Sequence, residues 1–188
     1  YIAFNSTYNN YTYMYYSNSN VKTQLDSWYQ TNIGSKSELA QNVVAGDYYC
    51  EQAKAKYSSS YTSGSASMTV YSSYTPNFKC TTDGNGKGIV NASVGLLNYD
   101  EVVYAGGIFA KKNSSYYLCN SFINNYWWTM SPAGFSSSSA NVWGVGQSGS
   151  IGSPDTIITL VLRPVLNIKD DTLATGTGTS SDPYEIQS

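Results

Sequence analysis

Three cysteines, two pairs of adjacent carboxylates, a single arginine and one glycine-rich run are the residues here that could do chemistry. Histidine is absent. That removes Ser-His-Asp and Cys-His nucleophile systems and any His-ligated zinc. Asp100-Glu101 and Asp170-Asp171 are neighbours in sequence. Adjacent residues on one element do not face each other, so neither pair makes an acid/base dyad. Glu101 stands three residues after Asn98, the spacing of a capping box. Asp170-Asp171 could ligate calcium, but the fuller set of oxygen ligands is not visible around it. Neither a metal nor a cofactor is expected, and the chain reads as a non-enzyme.

Cys50, Cys80 and Cys119 make an odd count. In an oxidising compartment this suggests one disulfide and a leftover thiol; in a reducing cell, three free cysteines. Closing a loop between Cys50 and Cys80 would stabilise by about 3 kcal/mol. No C-x-x-C pair supports a metal site. The run Gly144-Val145-Gly146-Gln147-Ser148-Gly149 has the letters of a dinucleotide fingerprint. That mechanism needs a helix to open after the glycines. Ser150-Ile151-Gly152-Ser153-Pro154 follows and cannot open one, so a glycine-rich hairpin is expected.

Arg163 lies in an apolar β-prone run before Pro164. Its fork suits a carboxylate or backbone carbonyls, and a structural role is expected. Trp28 and Trp128 read as core. Trp143 belongs to a Gly/Ser/Asn-rich stretch, where an exposed aromatic would be a binding anchor. Asn-x-Ser/Thr sequons stand at Asn5, Asn10, Asn91 and Asn113 and would matter only in a glycosylating host.

The elements that position these residues follow from periodicity. Tyr11 to Tyr15 alternates and could be a strand. Val21, Leu25 and Trp28 have helical spacing, so a helix is expected from Val21 to about Asn32, ended by Gly34. Ser35 and Glu38 repeat the capping-box pattern before a short second helix. From Asp47 to Gly88 the pattern breaks into a loop-rich excursion, of a kind usually functional or pinned by a cross-link. Tyr126 to Met130 reads as a strand ending at Ser131-Pro132. Ala140 to Val145 alternates in part, with Val142 and Val145 inward. Ile157 to Ile168 is β-prone, and Thr175 to Ser181 resembles a linker. The class expected is α+β: one domain over 1–174 and a Gly/Thr/Ser-rich tail over 175–188.

Only 12% of the 188 residues are charged, the net charge is -2, and there are 19 tyrosines. A chain that neutralises phosphates would be basic, so a nucleic-acid partner is not expected. No stretch approaches the roughly 20 apolar residues of a membrane span. Hydroxyls, amides and tyrosines in place of charges suggest an extracellular β-rich surface, and the same mixture serves paratopes. The plainer reading is that Tyr and Thr are good strand formers.

Several runs resemble one family, in order along nearly the whole chain. Val21 to Asn32 is similar to its "xxLDxWYxxNL" helix, and Leu96 to Gly107 to its "GLITADEVxxAGG" segment. Asn113 to Leu118 and Trp127 to Pro132 resemble "NSSYYL" and "YWTMSP". Leu162 to Ile168 is similar to "VRPVINL", and Thr175 to Ile186 to "GxGTxSDPYxI". The family comprises surface or secreted proteins of Gram-positive bacteria, many with a prepilin-like or membrane-anchored N-terminus. The resemblance implies a C-type-lectin-like fold and a bond between Cys50 and Cys80. Cys119 falls where the family usually has no cysteine. The segment from Phe135 to Asp155 is implied to be the most variable. The calcium-dependent sugar motifs of animal lectins are absent.

The expected function is an extracellular, surface-displayed binding or adhesion domain for a protein or glycan ligand. Phe135, Asn141, Trp143 and Gln147 are the expected contacts. The alternative is the globular subunit of a filament or pilus-like assembly, self-associating through its patches.

Overall fold

A computed structural model describes residues 1–51, 75–76, 78–80, 88–116, 118, 126–136, 138–179 and 181–186. The chain opens with β1 (Ile2–Ala3) and two 3-10 turns, Tyr11–Met14 and Tyr16–Asn18. The strand expected over Tyr11 to Tyr15 does not form. The Asn10 side chain accepts hydrogen bonds from the Thr12 N–H and hydroxyl, both at 2.9 Å, and caps the turn. Local side-chain bonding of this kind competes with extended structure.

Helix α1 (Asn20–Tyr29) starts at Ser19, whose hydroxyl accepts from the Lys22 N–H at 3.0 Å. It buries Val21, Leu25 and Tyr29, the i, i+4, i+8 stripe of one face. The chain then winds into a π turn over Gln30–Gly34, which leaves Ser35 helical at φ -82° and ψ -4°. An N-cap needs extended backbone, so the Ser35/Glu38 capping box does not form. The short α2 (Ser37–Ala40) is entered from an extended Lys36 with no side-chain cap.

Strands β2 (Asp47–Cys50) and β3 (Ile89–Ala92) pair antiparallel, Cys50 opposite Ile89. Helix α3 (Tyr99–Tyr104) begins with the expected capping box: Asn98 Oδ1 accepts from the Glu101 N–H at 2.9 Å, and Glu101 Oε2 from the Asn98 N–H at 2.8 Å. The main sheet follows, from β4 (Ile108–Phe109), β5 (Trp127–Ser136), β6 (Ser139–Val145) and β7 (Ser150–Gly152), in spatial order β4-β7-β6-β5. Strand β5 does not stop at Pro132. It runs through, with register shifts on either side of the proline, which has no N–H for the ladder.

The β-prone run Ile157 to Ile168 forms only β8 (Thr159–Leu160), which pairs with β1. Beyond it the chain makes single bridges: Val161 to Trp127, Val165 to Gly95, and Ile168 to Val43. It stitches three regions together instead of lying beside one partner. The tail is not a linker. Strands β9 (Ala174–Thr175) and β10 (Glu185–Ile186) form an exposed hairpin, with Gly176 and Gly178 at φ 99° and 73°.

The fold is mixed helix and strand, with mostly antiparallel sheets and few helices, in keeping with an α+β class. Its core has two clusters. One gathers α1, the 3-10 turns, Trp128, Ala140 and Val142. The other gathers Tyr99 and Val102 of α3 with Trp127, Trp143, Val145 and Ile151. Strand β6 contributes to both, so both of its faces are covered. Among the described residues no helix is long and apolar enough to cross a membrane.

Candidate functional site

The four residues expected to contact a ligand do not form an exposed face. Trp143 is fully buried, and its expected role as a surface anchor is wrong. Its indole lies 4.5 Å from the Tyr99 ring and 5.6 Å from Phe109, between centroids. Val142 and Val145, expected inward, are buried on opposite faces of β6. With α3 and Phe109 packed on the second face, neither is left to solvent. Phe135 is half-buried against the first cluster. The Asn141 amide donates to Asp155 Oδ1 at 2.6 Å and to the Ser153 carbonyl at 3.1 Å, so it ties β6 to the loop after β7. Gln147 is exposed in the turn between β6 and β7.

Trp128 is fully buried; it meets Phe4 edge-on at 5.4 Å and donates from Nε1 to the Ile2 carbonyl at 3.0 Å. Trp28 is half-buried at the edge of the same cluster. The Arg163 guanidinium sits 4.9 Å from the Trp127 ring centre, and Nη1 donates to the Leu118 carbonyl at 2.5 Å. A backbone carbonyl and an aromatic face are thus among its partners. The sequon at Asn5 is buried, its amide given to the Tyr13 and Asn18 carbonyls. Cys119 lies outside the described residues.

A cavity of about 300 Å³ opens elsewhere, between the paired strands β2 and β3, the start of α3 and the Cys50–Cys80 disulfide. The two cysteine Cα atoms are 5.6 Å apart. The bond ties the end of β2 to Phe78 and Lys79, which form part of the cavity wall. The interior is polar as well as apolar: Asn98, Asp100, Glu101 and Asn167 stand with Leu96 and Met130. Asp100 is only 3% exposed.

The rim is different. Tyr48 is 70% exposed, Phe78 60% and Ile89 59%. Tyr104, 74% exposed, meets Phe78 edge-on at 5.2 Å. On β2 and β3 the pleat explains this. Tyr49, Val90 and Ala92 turn into the core, so Tyr48 and Ile89 must turn out.

Burial sets the electrostatics. It raises the Glu101 carboxyl above its ordinary value; the Asn98 N–H opposes this and the Asp100 charge adds to it. The Tyr49 phenol is pushed up to about 12, first by burial and then by the Asp47 charge. Its hydroxyl donates to the Val165 carbonyl at 3.1 Å. One carboxylate serves as a helix cap and the phenol is held neutral. Among the described residues no group of three or more acidic or Cys side chains is placed to hold a metal ion.

Sequence reasoning missed Tyr48, Phe78 and Ile89. The available signal was the irregular excursion after Asp47, closed by a cysteine pair. No family model, curated protein or solved structure matches the chain.

Proposed function

We propose that this chain is an extracellular binding domain, displayed at a cell surface, that takes a protein or glycan ligand at the disulfide-clasped cavity. The observation that carries the reading is the exposed aromatic rim. Tyr48 and Phe78 present rings to solvent at the wall of a concave site lined also by amide and carboxylate groups, and Tyr104 lies edge-on against Phe78. Rigid rings beside a few fixed polar groups are how binding pockets gain both area and orientation. The Cys50–Cys80 disulfide supports an oxidising compartment. The early helices followed by a mostly antiparallel sheet support the C-type-lectin-like reading of the fold. Binding without catalysis is supported by the histidine-free sequence and by Glu101, whose carboxylate closes a capping box.

The test is binding of the oxidised domain to arrays of glycans and of extracellular proteins. Wild type binds at least one class of target. The double variant Tyr48→Ala/Phe78→Ala loses about tenfold or more in affinity, the scale of a hot-spot pair. A double variant that binds as wild type does, or concentration-dependent polymers in place of ligand binding, overturns the reading.

A further inference from the structure

The exposed β9–β10 hairpin holds the one Asp-Pro dipeptide of the sequence, Asp182-Pro183; the other four prolines follow Thr, Ser, Ser and Arg. Proline makes the bond after Asp182 a tertiary amide whose nitrogen carries no hydrogen. Asp182 and Pro183 are both exposed, so water reaches that bond.

The hairpin grips Asp182 from both sides. Its carbonyl oxygen accepts from two backbone donors, the Thr179 N–H at 3.1 Å and the Thr177 N–H at 3.2 Å. The Thr177 N–H also meets Asp182 Oδ2 at 2.9 Å. One N–H shared by both oxygens folds the carboxylate back beside its own carbonyl. The Asp182 N–H is taken by Thr179, at 3.2 Å by the carbonyl and at 3.1 Å by the hydroxyl. The residue therefore cannot swing away without breaking the turn. Close packing of the strands holds this register: a Cβ at Gly176, where φ is 99°, would lie 2.2 Å from the Pro183 carbonyl oxygen. Two N–H groups aimed at one carbonyl oxygen are the parts of an oxyanion hole. A carboxylate held beside the carbon it would attack supplies a nucleophile within the same residue.

We propose that the Asp182–Pro183 bond is a self-cleavage site, a single reaction of the chain on itself and separate from the disulfide-clasped cavity. A carboxylate oxygen of Asp182 adds to its own carbonyl carbon and closes a five-membered ring. The oxyanion so formed is held by the Thr177 and Thr179 N–H groups. Its collapse breaks the C–N bond to Pro183, whose nitrogen takes a proton from water and leaves as a secondary amine. The ring left on Asp182 is a cyclic anhydride. Water opens it, and Asp182 ends with a free α-carboxylate beside its side-chain carboxylate. One water is consumed overall and no electrons are transferred.

The experiment follows the purified oxidised domain by intact-mass spectrometry in mildly acidic buffer, where the leaving amine readily finds a proton, both folded and unfolded in urea. Wild type should yield two fragments that meet between Asp182 and Pro183, at a rate independent of protein concentration. The folded chain should cut about tenfold or more faster than the unfolded one, less than a buried oxyanion donor gives because this hairpin is exposed. Hydroxylamine should trap the anhydride as a hydroxamate on Asp182. Asp182→Asn keeps an oxygen for the Thr177 N–H but has no carboxylate, and should stay intact. Gly176→Ala drives a Cβ against Pro183 and should slow the folded chain to about the unfolded rate, with the amide NMR signals outside the hairpin unmoved. Equal rates folded and unfolded would leave only the ordinary acid lability of an Asp-Pro bond and overturn the proposal. So would an intact chain, a cut at another bond, no hydroxamate, or either variant cutting as wild type does.

Discussion

The β5–β6 and β2–β3 strand pairs both carry large aromatics, yet they treat them in opposite ways. In β6 Trp143 has α3 and Phe109 above it and is sealed. In β2 Tyr48 and in β3 Ile89 share an outer face that stays exposed, and the disulfide sets Phe78 beside them. An aromatic residue in a strand is therefore not an anchor or a core residue by its own chemistry. What packs on its side of the sheet decides. The sealed β5–β6 pair is scaffold, and the half-open β2–β3 pair is the face we propose for binding.

The sharpest way to break this contrast is to truncate an aromatic on each side. Trp143→Ala should destabilise by about 3–5 kcal/mol, the range for emptying a large core site. Tyr48→Ala should change stability by less than about 0.5 kcal/mol, as surface substitutions do. Urea unfolding of the two variants measures both; similar costs would erase the distinction. Next in size is the clasp. Replacing Cys50 and Cys80 together by serine should cost about 3 kcal/mol on the chain-entropy account. It should also speed amide hydrogen exchange in β2 and β3 while β5 and β6 stay protected. Equal loss of protection in both strand pairs would show that the disulfide does not act locally on β2 and β3.

A smaller effect belongs to the α3 cap at the cavity. Asn98→Ala should destabilise by about 1 kcal/mol, measured by the same unfolding curves. The smallest is electrostatic. Burial raises the Glu101 carboxyl, so the folded state holds its proton at pH values where the unfolded chain has released it. Stability from this group is greatest below the unfolded carboxylate range and declines as pH rises through the raised folded value. Glu101→Gln keeps a capping-box acceptor and should flatten that decline. A pH–stability profile with the wild-type slope in the variant would contradict this origin.

What could be read from the sequence, and what could not, follows the same divide. The Asn98/Glu101 capping box was legible because both partners lie within one turn. The Ser35/Glu38 pair has the same spacing and fails, because a π turn carries Ser35 past the extended geometry a cap needs. The glycine-rich run makes the turn between β6 and β7, as Ser150-Ile151-Gly152-Ser153-Pro154 after it predicts. The burial of Trp143 was not legible: alternation tells which residues share a face, not whether α3 will cover it. The Tyr48–Phe78–Ile89 rim was hidden for a related reason. Its members come from three separate stretches and meet only through strand pairing and the disulfide.

The most direct test of the central claim sets the two regions against each other on one array. Affinity of the oxidised domain for its strongest glycan or protein target would be measured for Tyr48→Ala/Phe78→Ala and for Gln147→Ala, the exposed residue at the end of the closed hairpin. A loss of about tenfold or more in the double variant, with Gln147→Ala unchanged, is the predicted result. Loss confined to Gln147→Ala would move recognition to the turn after β6 and contradict the account.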